Sequence, residues 1–343
     1  MYVAMPPYDR ARASKELADA DRSFQQALDR VADDPQQLYW VARDAVRAAA
    51  LQAALDPSSR RLPDLVRIAA RAGTALLTLA RVDGEAVDVQ LDGDAAVRLA
   101  GSPDASLVNV GLWLDSAWLA TLGDDAASVA LLALVQDDLL RASPARGDDF
   151  LYLLAGALRA YWTGGDAGRP LLATLEATDP ERVTQGSVDR VLDLHVPVID
   201  AFFRLLERDD PGFDEALAKG LELHVRYWER AGIDAEALVP VRFAALARRA
   251  RLTGMQVTIE SDGLPAALVD APPPDELLLC PYCLTPIAED AQICPGCRRD
   301  PTKDAPLEED VEALRTAPRR PCPHCGNGVL PLAVVCPRCG NHL

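Results

Sequence analysis

The chain has 343 residues, of which 49% are hydrophobic and only 5% aromatic, and its formal net charge is −17, from 52 acids and 35 bases. That length holds one large or two medium cores plus small modules, and a core resting on Ala, Leu and Val favours helices over a β-sandwich. The negative balance argues against a general nucleic-acid binder, which needs a positive field to displace phosphate counterions; it suits a protein that repels itself in solution or meets a basic partner.

The N-terminus shows no basic segment followed by an apolar run, so no signal peptide is expected. No stretch approaches the ~18 apolar residues of a membrane span, so no membrane association is expected and a cytoplasmic location follows by default. Asp34 ahead of Pro35 predicts a capped helix running to about Leu55. Leu65, Ile68, Ala69, Ala72 and Leu76 form an amphipathic stripe. Residues 86–91 alternate apolar and polar and reach Asp92-Gly93, which predicts a strand and a turn. Further helices are expected over 104–121, 124–141, 148–162, 180–207, 211–231 and 234–252, with Gly123, Gly164 and Gly232 just past three of them. Pro197 should kink or split the 180–207 segment. Residues 256–260 read as extended. The expected fold is mainly α: an irregular multi-helix domain over 1–270 with a minor β element.

All eight cysteines follow residue 279. A stretch over 271–277 containing Pro272, Pro273 and Pro274 marks a stiff linker before them. Cys280, Cys283, Cys294 and Cys297 recur 42 residues later as Cys322, Cys325, Cys336 and Cys339, each set spaced C-x2-C-x10-C-x2-C. Two Cys-x-x-Cys knuckles separated by a short hairpin can close a tetrahedron of thiolates at ~2.3 Å from one zinc ion, with no open position for water. The spacing therefore predicts two structural Zn2+ ions, in ribbons over 278–300 and 319–343, joined by an acidic linker over 301–318. Iron in a rubredoxin-like site is the competing metal, and disulfides fit poorly in a cytoplasmic chain. Each unit has too few apolar residues to fold by burial alone, so metal affinity must supply the folding energy. The tandem resembles the double zinc ribbon family. Residues 319–343 carry Arg319, Arg320 and Arg338 and no acid, so any weak nucleic-acid contact belongs to the second ribbon.

The first 270 residues lack a dinucleotide fingerprint, a phosphate-binding Gly-Lys-Ser/Thr loop, a nucleophile elbow and a His-Glu-x-x-His pair. No catalytic residues emerge, and the chain reads as a non-enzyme. Of the two histidines here, His224 shares a stripe with Leu217, Leu221 and Trp228 and reads as structural. His195 precedes the Pro197 kink and is placed to cap carbonyls freed there. The acid pairs Asp124-Asp125, Asp137-Asp138 and Asp148-Asp149 stand at helix starts, where capping and the helix dipole explain them. Six aromatics, Trp113, Trp118, Tyr161, Trp162, Tyr227 and Trp228, are the large side chains available to anchor a partner, although most fit a core.

The segment Leu38 to Ala49, the extended stretch Val87 to Leu91 followed by a helix with Trp113 and Trp118, the stretch Ala216 to Trp228, and Val257 to Pro265 occur in an order that resembles the immunity protein 49 family of bacterial polymorphic toxin systems, over about 30–270. The resemblance implies a helical protein that binds and neutralises a cognate toxin. An acidic surface would speed capture of a basic toxin. The alternative is a zinc-ribbon adaptor with a helical scaffold, docking onto a protein or nucleic-acid complex.

Overall fold

Three helices of 19 residues each build the first part of the chain: α1 (Arg10–Leu28), α2 (Gln37–Leu55) and α3 (Arg61–Leu79). The computed structural model describes residues 1–92, 96–101 and 107–271, and beyond them the backbone of four two-residue strands. Helix α1 has no counterpart among the expected elements. It is capped by Asp9, which accepts from the Arg12 N–H at 2.6 Å, and it buries only Ala13, Ala20, Phe24 and Ala27. Small side chains at helical spacing leave a weak apolar signal, so tertiary packing supplies what the sequence pattern lacks. Helix α2 starts two residues after Pro35. The Asp34 carboxylate closes the preceding turn by accepting from the Gln36 N–H at 3.1 Å. In α3 every residue of the expected stripe is buried.

Strand β2 (Ala86–Gln90) pairs antiparallel with β3 (Ala96–Ala100), and Val89 and Leu99 turn toward the core. Helix α4 (Val110–Leu122) follows, with Asn109 accepting from the Leu112 N–H at 3.0 Å as its cap. The expected 124–141 helix is two, α5 (Ala126–Ala133) and α6 (Asp137–Ala142). Then come α7 (Asp149–Trp162) and an unexpected α8 (Gly168–Ala177).

The 180–207 segment breaks further than a single kink. It holds a 3-10 turn at Pro180–Arg182, a short α9 (Val188–Arg190), a π turn over Val191–His195, and α10 (Val196–Glu207). Pro197 has no N–H to give the carbonyl one turn back. The chain widens instead, and the Val196 N–H reaches the Val191 carbonyl, five residues earlier. Helix α11 (Asp210–Ala231), a 3-10 turn at Ala235–Ala237, α12 (Val241–Leu252) and α13 (Ala266–Val269) complete the helices. Pro240 separates the 3-10 turn from α12, so the expected 234–252 helix is two pieces. Of the 256–260 stretch only Glu260 enters a ladder: β4 (Glu260–Ser261) pairs in parallel with β1 (Tyr2–Val3).

Successive helices pack on one another from α1 to α4, α4 packs on α12, and α10 packs on α11. Alanines and glycines permit close crossings. A Cβ at Gly220 would lie 2.3 Å from the Phe243 ring, so α11 meets α12 at a distance only glycine tolerates. Arg248, buried, and Asp124, mostly buried, form an ion pair, and Asp125 holds Arg71 at 2.8 Å.

Met1–Ala271 and Pro272–Leu343 are separate compact units. In the second, β5 (Leu278–Leu279) pairs with β6 (Pro286–Ile287), and β7 (Arg320–Pro321) pairs with β8 (Gly328–Val329), both antiparallel. The eight cysteines lie outside the described residues.

Candidate functional site

The described residues enclose a cleft of about 1120 Å³. Helix α2 contributes Tyr39, Trp40 and Arg43; α4 contributes Asp115 and Trp118; Arg190 and His195 come from either side of the π turn. Helix α11 contributes His224 and Trp228, the turn before α12 Asp234 and Glu236, and α12 itself Arg242.

Asp115 is the only charged residue of α4, a helix with ten of its thirteen residues buried. Its carboxylate accepts no hydrogen bond among the described residues. The nearest cation, Arg242 Nη2, stands 3.9 Å away, and the Asp115 side chain is 67% exposed. The walls of the cleft raise its carboxyl pKa above the usual value, against the opposing pull of Arg242 and Arg190, and the water that reaches the side chain tempers the rise. Glu236 is also pushed up, first by burial and then by Asp234, with a smaller push from Asp115; Arg190 and Arg43 oppose the rise.

His195 does not cap the carbonyls freed by Pro197. It is buried against Phe150, whose ring centroid is 5.0 Å away, and its Nδ1 lies 3.0 Å from Arg242 Nη1. Burial, with Arg242 and Arg190 beside it, takes its pKa well below 6.5. The ring is therefore neutral at physiological pH, and a neutral ring nitrogen can accept from the guanidinium. Burial lowers the pKa of Arg242 itself, although guanidinium remains charged. His224 is structural, as its stripe implied: Nε2 donates to the Ala237 carbonyl at 3.1 Å, and burial lowers its pKa to about 4.

Two further carboxylates tie neighbouring segments in place. Asp193, on the π turn, takes the guanidinium of Arg226 at 3.1 Å and that of Arg230, one turn further along α11. Asp148 is no helix cap. It accepts from the backbone N–H groups of Thr184, Gln185 and Gly186 at 2.7, 2.9 and 3.0 Å, and so pins the loop that leads to α9. Burial raises its pKa, but these donors outweigh that and leave it below the usual value.

Trp113, Trp118 and Trp228 are core residues, and Tyr161, Trp162 and Tyr227 are half-buried. Trp118 and Trp228 also line the cleft, and each keeps an indole N–H without a partner among the described residues. Among the aromatics lining the cleft Trp40 is exposed, at 47%, with the Arg43 guanidinium 5.8 Å from its ring centroid. Sequence reading missed Trp40, Arg190, Glu236 and Arg242. Asp115 was detectable as the lone charge in an apolar helix.

The arrangement is a wet, concave, charged surface on a helical scaffold, and the described residues contain no group of three or more ligands suited to a metal ion. None of their helices is long and apolar enough to cross a membrane. The comparison with known families places the helical domain in the class of immunity proteins and gives the particular family. The model of Immunity protein 49 matches residues 15–268, and the chain belongs to that family. No curated protein and no solved structure matches the chain.

Proposed function

We propose that the protein binds a cognate toxin in the cytoplasm and neutralises it by occupying a surface the toxin needs, with no chemistry of its own. Family membership over residues 15–268 carries this reading. The charge supports it: residues 1–271 hold 42 acids against 28 bases, a field that draws in a basic toxin and weakens with salt.

We further propose that Cys280, Cys283, Cys294 and Cys297 hold one structural Zn2+ and Cys322, Cys325, Cys336 and Cys339 a second. The backbone agrees with a repeated unit. The hairpins Leu278–Leu279/Pro286–Ile287 and Arg320–Pro321/Gly328–Val329 are offset by the same 42 residues as the cysteines, and each spans a Cys-x-x-Cys pair. Zinc here supplies folding energy and an interaction platform. Elemental analysis of protein purified without added metal should give two zinc ions per chain; stoichiometric iron or less than one zinc would end this assignment.

The functional test is co-expression with the toxin domain encoded beside this chain's gene, in a host the toxin kills. Survival with the chain supports immunity. Death, with the toxin active and the protein soluble, refutes it for that pair.

A further inference from the structure

We infer that the cleft is the face on which the toxin docks, and that it receives a cationic side chain of the toxin against Asp115 and Glu236 while Trp40 packs on the toxin beside it. This rests on the immunity reading and adds the place and chemistry of contact.

The first support is the place of Asp115. A helix otherwise committed to the core places its single charge on a cleft wall, exposed to the water of the cleft, without a hydrogen bond among the described residues and with its nearest cation at 3.9 Å. Arg242 is kept from a bidentate pair with it in part by its contact with the neutral His195 ring. Charges held apart in a concave surface leave oxygens free for a partner.

The second support is the sign of the field. Around the cleft six acids, among them Asp115, Asp234 and Glu236, are matched by six arginines, so the lining is neutral. The potential that enters the cleft is then that of the rest of the domain, where acids outnumber bases 42 to 28 across residues 1–271. Low-dielectric walls focus that negative field into the concavity. A cation is attracted from a distance and then meets two exposed carboxylates, neither of which has an ion pair closer than 3.9 Å among the described residues.

The third support is Trp40. A tryptophan 47% exposed on the lining of a cleft, with an arginine beside it, is the composition of an interface anchor.

The test uses the full chain and the toxin domain encoded beside its gene, inactivated at its catalytic residue, with affinity measured by calorimetry. Asp115→Asn and Trp40→Ala are each expected to weaken binding by about tenfold or more. Asp115→Lys should weaken it further than Asp115→Asn. Glu222→Gln removes one charge from an exposed position on α11 outside the cleft and should change affinity less than about twofold. Wild-type affinity in both Asp115→Asn and Trp40→Ala overturns the docking face. Tighter binding by Asp115→Lys than by wild type means an anionic occupant and overturns the cation. No binding by the wild-type chain overturns the immunity reading, and this inference with it. Variants that unfold are replaced by hydrogen exchange on the wild-type complex: slowed exchange at 38–44 and 234–242 is expected, and unchanged exchange there overturns the proposal.

Discussion

Replacing His224 by Gln should remove a specific pH dependence of stability while keeping a donor for the Ala237 carbonyl. In the folded protein His224 is neutral down to about pH 4, whereas in the unfolded chain it takes its ordinary value near 6.5. The folded pKa is the lower one, so the unfolded state binds the proton first. The contribution of neutral His224 is fully present above pH 6.5 and is lost as pH falls toward 4. The interval corresponds to about 2 kcal/mol lost by pH 5 and about 3 kcal/mol by pH 4. The raised carboxyls of Asp115 and Glu236 act in the opposite direction: they destabilise the folded state at neutral pH and relax as they protonate. Comparing wild type with His224→Gln cancels them, along with any titration in the second unit. Urea unfolding of the full chain, followed by helical circular dichroism at several pH values from 7.5 to 4.5, gives the difference directly. Wild type should lose about 2.5 kcal/mol relative to the variant between the two ends. A difference that stays flat would show that the ring is not desolvated, and the reasoning would fail.

Asp148→Ala should destabilise the protein by about 2 kcal/mol, because three backbone N–H groups lose their acceptor; limited proteolysis should then cut first within 183–187. Gly220→Ala forces a Cβ against Phe243 and should cost about 2 kcal/mol in thermal or urea unfolding. Arg248→Ala leaves Asp124 mostly buried without its cation and should cost about 3–5 kcal/mol, more than any exposed arginine; Arg22→Ala, at an exposed i,i+3 pair, should cost under ~1 kcal/mol.

Helices with strong apolar stripes were legible in the sequence. The α3 stripe is buried as its spacing implied, and Gly123, Gly164 and Gly232 follow α4, α7 and α11. Helix α1 was not legible, since alanine carries most of its buried face and most of its remaining positions are polar. Pro197 announced a break, but not a π turn, whose width depends on where Asp193 is held by α11. The cleft was least legible. Arg190, Glu236 and Arg242 are ordinary surface types in sequence and acquire meaning only when a π turn and a 3-10 turn bring them opposite α4. The roles of Asp124 and Asp148 were misjudged for the same reason: both stand at helix starts, yet their partners are Arg248 and the 184–186 backbone, far along the chain.

The pairing of Tyr2–Val3 with Glu260–Ser261 has a mechanical consequence. The two strands run parallel, and the Glu260 N–H is held by the Met1 carbonyl at 2.9 Å. An unfolding motor that grips residues after 271 pulls the later strand forward while the rest of the domain holds the earlier one back. The ladder is then loaded in shear, its hydrogen bonds sharing the force instead of parting one by one. Arg248 grips the Ala271 carbonyl just ahead of that ladder and takes the first of the load. Extraction from the opposite end meets the same strands in the same geometry, so this small seam resists pulling from either side.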